Sequence, residues 1–134
     1  MIDQGIVMLV SVDVTVASLI QPGATGGTSD ELPKDSLLPS WTYKIVSEVP
    51  EYELQGKEFP FRRLEIRSYG TIPADAVNLA QAIDKVLEGY RGNLPDPDST
   101  HISSCLRSDR MSGFDDNRRA WWRMLEYEIW YNPS

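Results

Sequence analysis

Residues that carry chemistry are scarce in this chain of 134 residues, which holds one cysteine and one histidine. A lone thiol, Cys105, excludes an intramolecular disulfide and matches the cysteine usage of a reducing compartment. A lone imidazole, His101, with no second histidine and no cysteine pair, excludes the common zinc ligand sets. The string GATGGT lacks the Lys-Ser/Thr that completes a phosphate-binding loop and does not join a strand to a helix. Asp96 and Asp98 occupy two calcium-loop-like positions, but the rest of that pattern and its closing glutamate are missing. No catalytic residue, metal ligand or cofactor site is therefore expected. Long apolar runs are missing too. The stretch Ile6 to Ile20 is interrupted by Asp13 and too short to span a bilayer, and Asp3 stands where a signal peptide needs basic residues. The expectation is an intracellular protein with no membrane partner.

Arginine is absent from the first 58 residues. That region carries nine acids against three lysines, a charge of −6, whereas residues 59–134 carry eleven acids against ten bases and hold all nine arginines. A net charge of −7 argues against a protein that coats nucleic acid by neutralising phosphates. It leaves an acidic surface and a mixed, arginine-bearing one, and mixed surfaces suit protein partners.

Three of the four tryptophans lie in the C-terminal RRAWWRMLEYEIWY, residues 118–131. Read at period two, Leu125, Tyr127, Ile129 and Tyr131 point one way, and Trp122, Met124, Glu126, Glu128 and Trp130 point the other. Strict alternation marks a half-buried strand. A helix is the competing reading, since Trp121, Leu125 and Ile129 are spaced by four, but aromatic and β-branched enrichment favours the strand. The strand's second face joins aromatics to acids, a composition common at protein interfaces. The alternative is that another element of the same chain covers it. Arg62, Arg63, Arg67, Arg107, Arg110, Arg118, Arg119 and Arg123 come together if the strands pair, either for salt bridges within the chain or for bridges to another subunit.

The remaining elements follow from periodicity and punctuation. Residues 2–20 read as a helix, weakened by their β-branched content. Residues 21–36, rich in Gly, Pro, Ser and Asp, read as a mobile loop. Strands are predicted over 38–49 and 59–69, joined by an acidic connection. In the second, Leu64 and Ile66 share one face, and Arg63, Glu65 and Arg67 line the other. A helix follows, with Thr71 as cap, Pro73 in the first turn, Asp75 at the positive end of the dipole and Gly92 as its left-handed stop. A third strand over 101–110, with Cys105 pointing inward, leads through a turn-forming loop at 111–117 to the aromatic strand. The fold class expected is α+β, a mainly antiparallel four-stranded sheet with helices packed on one face, in the order α-β-β-α-β-β, forming a single domain over 1–134.

The strings LPSWTYKIVSE, FRRLEIRSYG, ADAVNLAQAIDKVLEGYRG, ISSCLRSDR and WWRMLEYEIWY, in this order, resemble the tail completion (tail terminator) proteins of long-tailed bacteriophages. The resemblance spans about residues 2–131, and the valine-rich start and the GATGGTSDELPKD loop depart from it. It implies a non-enzymatic virion protein of the tail and neck, assembled in the host cytoplasm. Such a protein forms a ring of about six copies, caps the head-proximal end of the tail tube, ends its polymerisation and joins it to the head–tail connector or stopper. The isolated chain is allowed to be a monomer. DNA passes through the ring without specific binding, so acids belong in the lumen. Within that reading Trp122, Met124, Glu126, Glu128, Trp130, Arg63 and Arg67 are the candidate subunit or partner interface. Glu48, Glu51, Glu53 and Glu58 are the candidates for the lumen or an axial partner. The competing class is a non-enzymatic adaptor or inhibitor acting as a monomer or dimer.

Overall fold

The computed structural model describes residues 2–20, 27–29, 37–46, 61–95 and 100–132. Among them lie helices α1 (Ile2–Ser11), α2 (Val14–Leu19) and α3 (Pro73–Leu87). The strands are β1 (Thr28–Ser29), β2 (Ser40–Val46), β3 (Phe61–Gly70), β4 (Gly92–Asn93), β5 (His101–Asp115) and β6 (Ala120–Asn132). They form one sheet in the order β1-β2-β3-β6-β5-β4. The ladder β1–β2 is parallel, and the others are antiparallel. The five antiparallel strands curl as a half-barrel.

The mixed helix-and-sheet class is as expected, but the four-strand count and the α-β-β-α-β-β order are not. The two extra strands, β1 and β4, are each two residues long, too short to leave a period-two signal. The N-terminal helix is two helices. Asp13 stops the first and caps the second, its Oδ1 accepting from Val16 N at 3.0 Å. Its side chain thus satisfies a donor that the start of α2 leaves open.

One face of the sheet is built as a core. Trp41 from β2, Leu64 and Ile66 from β3 and Leu125, Tyr127 and Ile129 from β6 are buried against Leu79, Ala80, Ile83 and Leu87 of α3. Ile6 and Val10 of α1 and Val16 of α2 join the same cluster. At the entrance to α3 the helix comes so near the sheet that a Cβ on Gly70 would lie 2.5 Å from Asp75 Cβ and 2.8 Å from Ala76 N. Only glycine fits such an approach.

The ends of α3 differ from the sequence reading. Ile72, not Thr71, occupies the cap, with no side-chain hydrogen bond, while Pro73 and Asp75 sit in the first turn as expected. The helix ends at Glu88, and the left-handed glycine that follows is Gly89, at φ +77. Its N–H donates to Cys105 O at 2.7 Å, so the stop is set by docking onto β5. Gly92 also has positive φ but belongs to β4.

The expected loop at 111–117 is largely strand. β5 runs on to Asp115, pairing Met111 with Met124 and Asp115 with Ala120. The turn occupies residues 116–119, with Arg119 at φ 50. Asp115 organises it, accepting from the N–H groups of Asn117 and Arg118 and pairing with the Arg118 guanidinium at 2.9 Å. Partial desolvation opposes ionisation there, but the hydrogen bonds and charge of Arg118 hold the carboxyl below its ordinary range. The expected loop at 21–36 lies mostly outside the described residues, apart from Gly27 and the two residues of β1.

Candidate interaction face

Paired residues of neighbouring strands share a face, so the register defines the side of the sheet away from α3. β3 contributes Phe61, Arg63, Glu65, Arg67 and Tyr69. Opposite them on β6 stand Trp130, Glu128, Glu126, Met124 and Trp122, in that order. Beyond β6, Ser104, Leu106, Asp109, Met111 and Gly113 of β5 face Trp130, Glu128, Glu126, Met124 and Trp122 in turn. The seven residues singled out as an interface, Trp122, Met124, Glu126, Glu128, Trp130, Arg63 and Arg67, therefore lie together on one surface. Glu48, Glu51, Glu53 and Glu58 lie outside the described residues.

The surface is cross-linked within the chain. Arg63 Nε lies 3.6 Å from Glu126 Oε1, and Arg67 Nη2 lies 3.3 Å from Glu65 Oε1. Ser108 Oγ donates to Glu126 Oε1 at 3.3 Å. The Arg67 guanidinium also stacks over the Trp122 ring at 4.5 Å, and the Phe61 and Trp130 rings meet at 4.8 Å. Trp122 in turn covers Gly113, where a Cβ would come within 2.5 Å of its ring. Arginine and aromatic groups held this way lose little freedom on meeting a partner. The ion pairs are half-exposed, and their effect on stability is small.

Accessibility divides the seven. Met124 is 6% exposed and so forms part of the packing on this side, and Trp122 is half-buried beside Tyr69 and Ala120. Trp130 is 43% exposed. Two apolar side chains missed in the sequence share this surface, Leu106 at 53% and Met111 at 55% exposure. Under unbroken alternation Leu106 would share a face with Ile102. A register shift between Ile102 and Ser104 reverses the alternation, so Ile102 and Cys105 enter the core and Leu106 leaves it. A bulge of this kind leaves no mark in a hydrophobicity pattern. Met111 was hidden because its segment has the composition of a turn.

The groups with chemical potential lie elsewhere. Cys105 is buried on the core side, and burial, with Glu88 and Asp84 nearby, pushes its thiol up to about 12. A thiol so protonated is a poor nucleophile. Tyr127 is buried with its hydroxyl donating to Asp84 Oδ1 at 2.7 Å, and burial together with that bond raises its pKa. His101 is exposed, its Nδ1 2.9 Å from Asn93 Oδ1. Among the described residues no three His, Cys, Asp or Glu side chains gather where a metal ion could be held, and no helix is long and apolar enough to cross a membrane.

No family model and no curated protein matches the chain. Among solved structures it is similar to a chain of the "Virion of native gene transfer agent (GTA) particle". The TM-score is 0.67 at 12% identity, over 98% of this chain and 94% of that one. At that identity the likeness establishes a shared fold along nearly the whole chain.

Proposed function

We propose that this chain is a structural protein of a phage-like particle, acting without catalysis as a tail completion protein. It caps the head-proximal end of the tail tube as a ring, ends its polymerisation and joins it to the head connector. The observation that carries this reading is the fold shared with a chain of a gene transfer agent virion over 98% of the present sequence. The surface of β3, β6 and β5 fits it, since apolar groups on a rigid sheet are set among charges and no described helix covers them. In this reading Trp130, Leu106 and Met111 meet a neighbouring copy or the neck, and Arg63 and Arg67 steer the approach. Glu48, Glu51, Glu53 and Glu58 face the lumen or an axial partner, where their charge keeps DNA from adhering.

The test is to add purified chain to polymerising tail tubes and measure tube length and end structure by electron microscopy. Tubes that stop growing and carry extra density at one end support the reading. Unaltered tubes, together with a chain that stays a monomer or dimer, favour the adaptor or inhibitor class. For the lumen, reversing the four glutamates to lysine leaves rings intact and retards genome passage. Unchanged infectivity removes them from the lumen.

A further inference from the structure

Helix α3 packs over β3 and β6, and beside it the core-side face of β5 from Arg107 onward stays open as a groove. One part, of about 250 Å3, is lined by Ala80, Gln81, Asp84, Arg107, Arg110 and Arg123 together with Leu125. A second part, of about 290 Å3, is lined by Pro73, Ala76, Val77, Gly113, Trp121 and Trp122 among others. Arg123 lines both, so the two adjoin at its side chain. From Pro73 to Asp84 the helix rises about 16 Å, the length of about five residues of extended chain.

The charges in the groove are out of balance. Three guanidinium groups, Arg107, Arg110 and Arg123, face one carboxylate, Asp84, which leaves +2 in a chain whose net charge is −7. That carboxylate is already engaged on both oxygens, Oδ2 by Arg107 Nη1 at 2.8 Å and Oδ1 by the Tyr127 hydroxyl. Glu88, the next acid along the helix, accepts the Arg107 backbone N–H at 2.5 Å. Among the described residues no carboxylate pairs with Arg110 or Arg123. Arg123 Nε is buried without a hydrogen-bond partner, an arrangement that costs free energy until an acceptor arrives.

We propose that this groove docks an acidic segment of a protein partner, an extended stretch whose carboxylates meet Arg110 and Arg123 while an apolar side chain lies along Pro73, Val77 and Trp121. Guanidinium groups favour the planar, two-oxygen geometry of a carboxylate. The apolar half of the groove has no use for a phosphodiester backbone, and the acidic remainder of the chain repels one. The proposal rests on the groove and not on the particle reading. It concerns the side of the sheet that carries α3, and it meets the surface described above at Trp122 and Gly113, which belong to both.

The test is fluorescence anisotropy with a labelled dodecapeptide in which glutamate alternates with leucine and tyrosine, titrated with the full chain. Parallel probes are the same peptide with glutamine for glutamate and a single-stranded oligonucleotide. The acidic peptide binds, more weakly as salt rises, and the glutamine peptide at least tenfold more weakly. Arg110→Ser and Arg123→Gln each weaken binding about tenfold, while Arg91→Ser does not. Arg110 is exposed, so its variant stays informative should Arg123→Gln impair folding. Failure of the acidic peptide to bind, equal binding by Arg110→Ser, or tighter binding of the oligonucleotide through the same arginines would overturn the proposal.

Discussion

Replacing Trp130 by alanine separates the contribution of the outer sheet surface to folding from its contribution to assembly. The ring is 43% exposed and packs against Phe61 at 4.8 Å. In the isolated chain the loss is the aromatic pair and the covered part of the ring, about 2 kcal/mol together. For a chain of this size that lowers the melting temperature by roughly 7 °C. In the proposed assembly, the exposed part of the ring, on the order of 100 Å2, is what a partner would remove from water. At about 25 cal/mol per Å2 it contributes up to about 2.5 kcal/mol per contact, or roughly 60-fold in affinity. The assay pairs a thermal melt with co-sedimentation of the variant on tail tubes. Leu106→Ser and Met111→Ser, at positions that are also exposed, lower co-sedimentation with little change in melting. A Trp130→Ala chain that loads tubes like the parent, or one that loses cooperative melting altogether, refutes the assignment of this surface.

Four further outcomes follow from the packing. Gly70→Ala costs at least about 2 kcal/mol in a denaturant melt, because the new Cβ meets helix backbone that cannot swing aside. Tyr127→Phe costs about 1–2 kcal/mol in the same melt by removing the hydroxyl that Asp84 accepts. Asp13→Ala costs about 1 kcal/mol, and hydrogen exchange shows it as faster opening of α2. The folded state holds the Cys105 proton more tightly than the unfolded state, since its pKa rises from 9.0 to about 12. Its contribution is therefore complete below pH 9 and declines by about 1.4 kcal/mol per pH unit above it. Melts of the parent and Cys105→Ala at pH 8 and pH 10 isolate that slope, and parallel curves exclude it.

The parts of the fold that were legible in the sequence are those where one periodicity runs unbroken. On β6 the buried set Leu125, Tyr127, Ile129 and Tyr131 and its opposite face were readable because no bulge lies within the strand. The same holds for Leu64 and Ile66 on β3. β5 was legible only in part, since two register shifts, after Ile102 and after Arg107, change which parity faces the core. The segment 111–115 has turn-like composition, and pairing with β6 overrides it. Gly113 is there not to turn the chain but to admit the Trp122 ring. The seven interface residues could be grouped from alternation alone, yet Met124 could not be seen to be buried. Its cover comes from outside its own strand, with Arg67 opposite on one side and Met111 on the other. The groove was beyond reach, because it depends on where α3 lies across the sheet.

The edge of the sheet at β5 is guarded unevenly. β4 pairs with it at Ile102 and His101. Past that point Arg91 Nε donates to Ser103 O, Gly89 N–H donates to Cys105 O, and Glu88 accepts the Arg107 N–H. Three residues that follow a helix thus occupy backbone groups that a foreign strand would otherwise claim. From Ser108 onward, among the described residues, no element takes that role, and the bulge with Asp109 and Arg110 stands at the boundary. Bulges and charges of this kind discourage strand addition. An edge open to strand addition is thereby confined, among the described residues, to the tip of one hairpin.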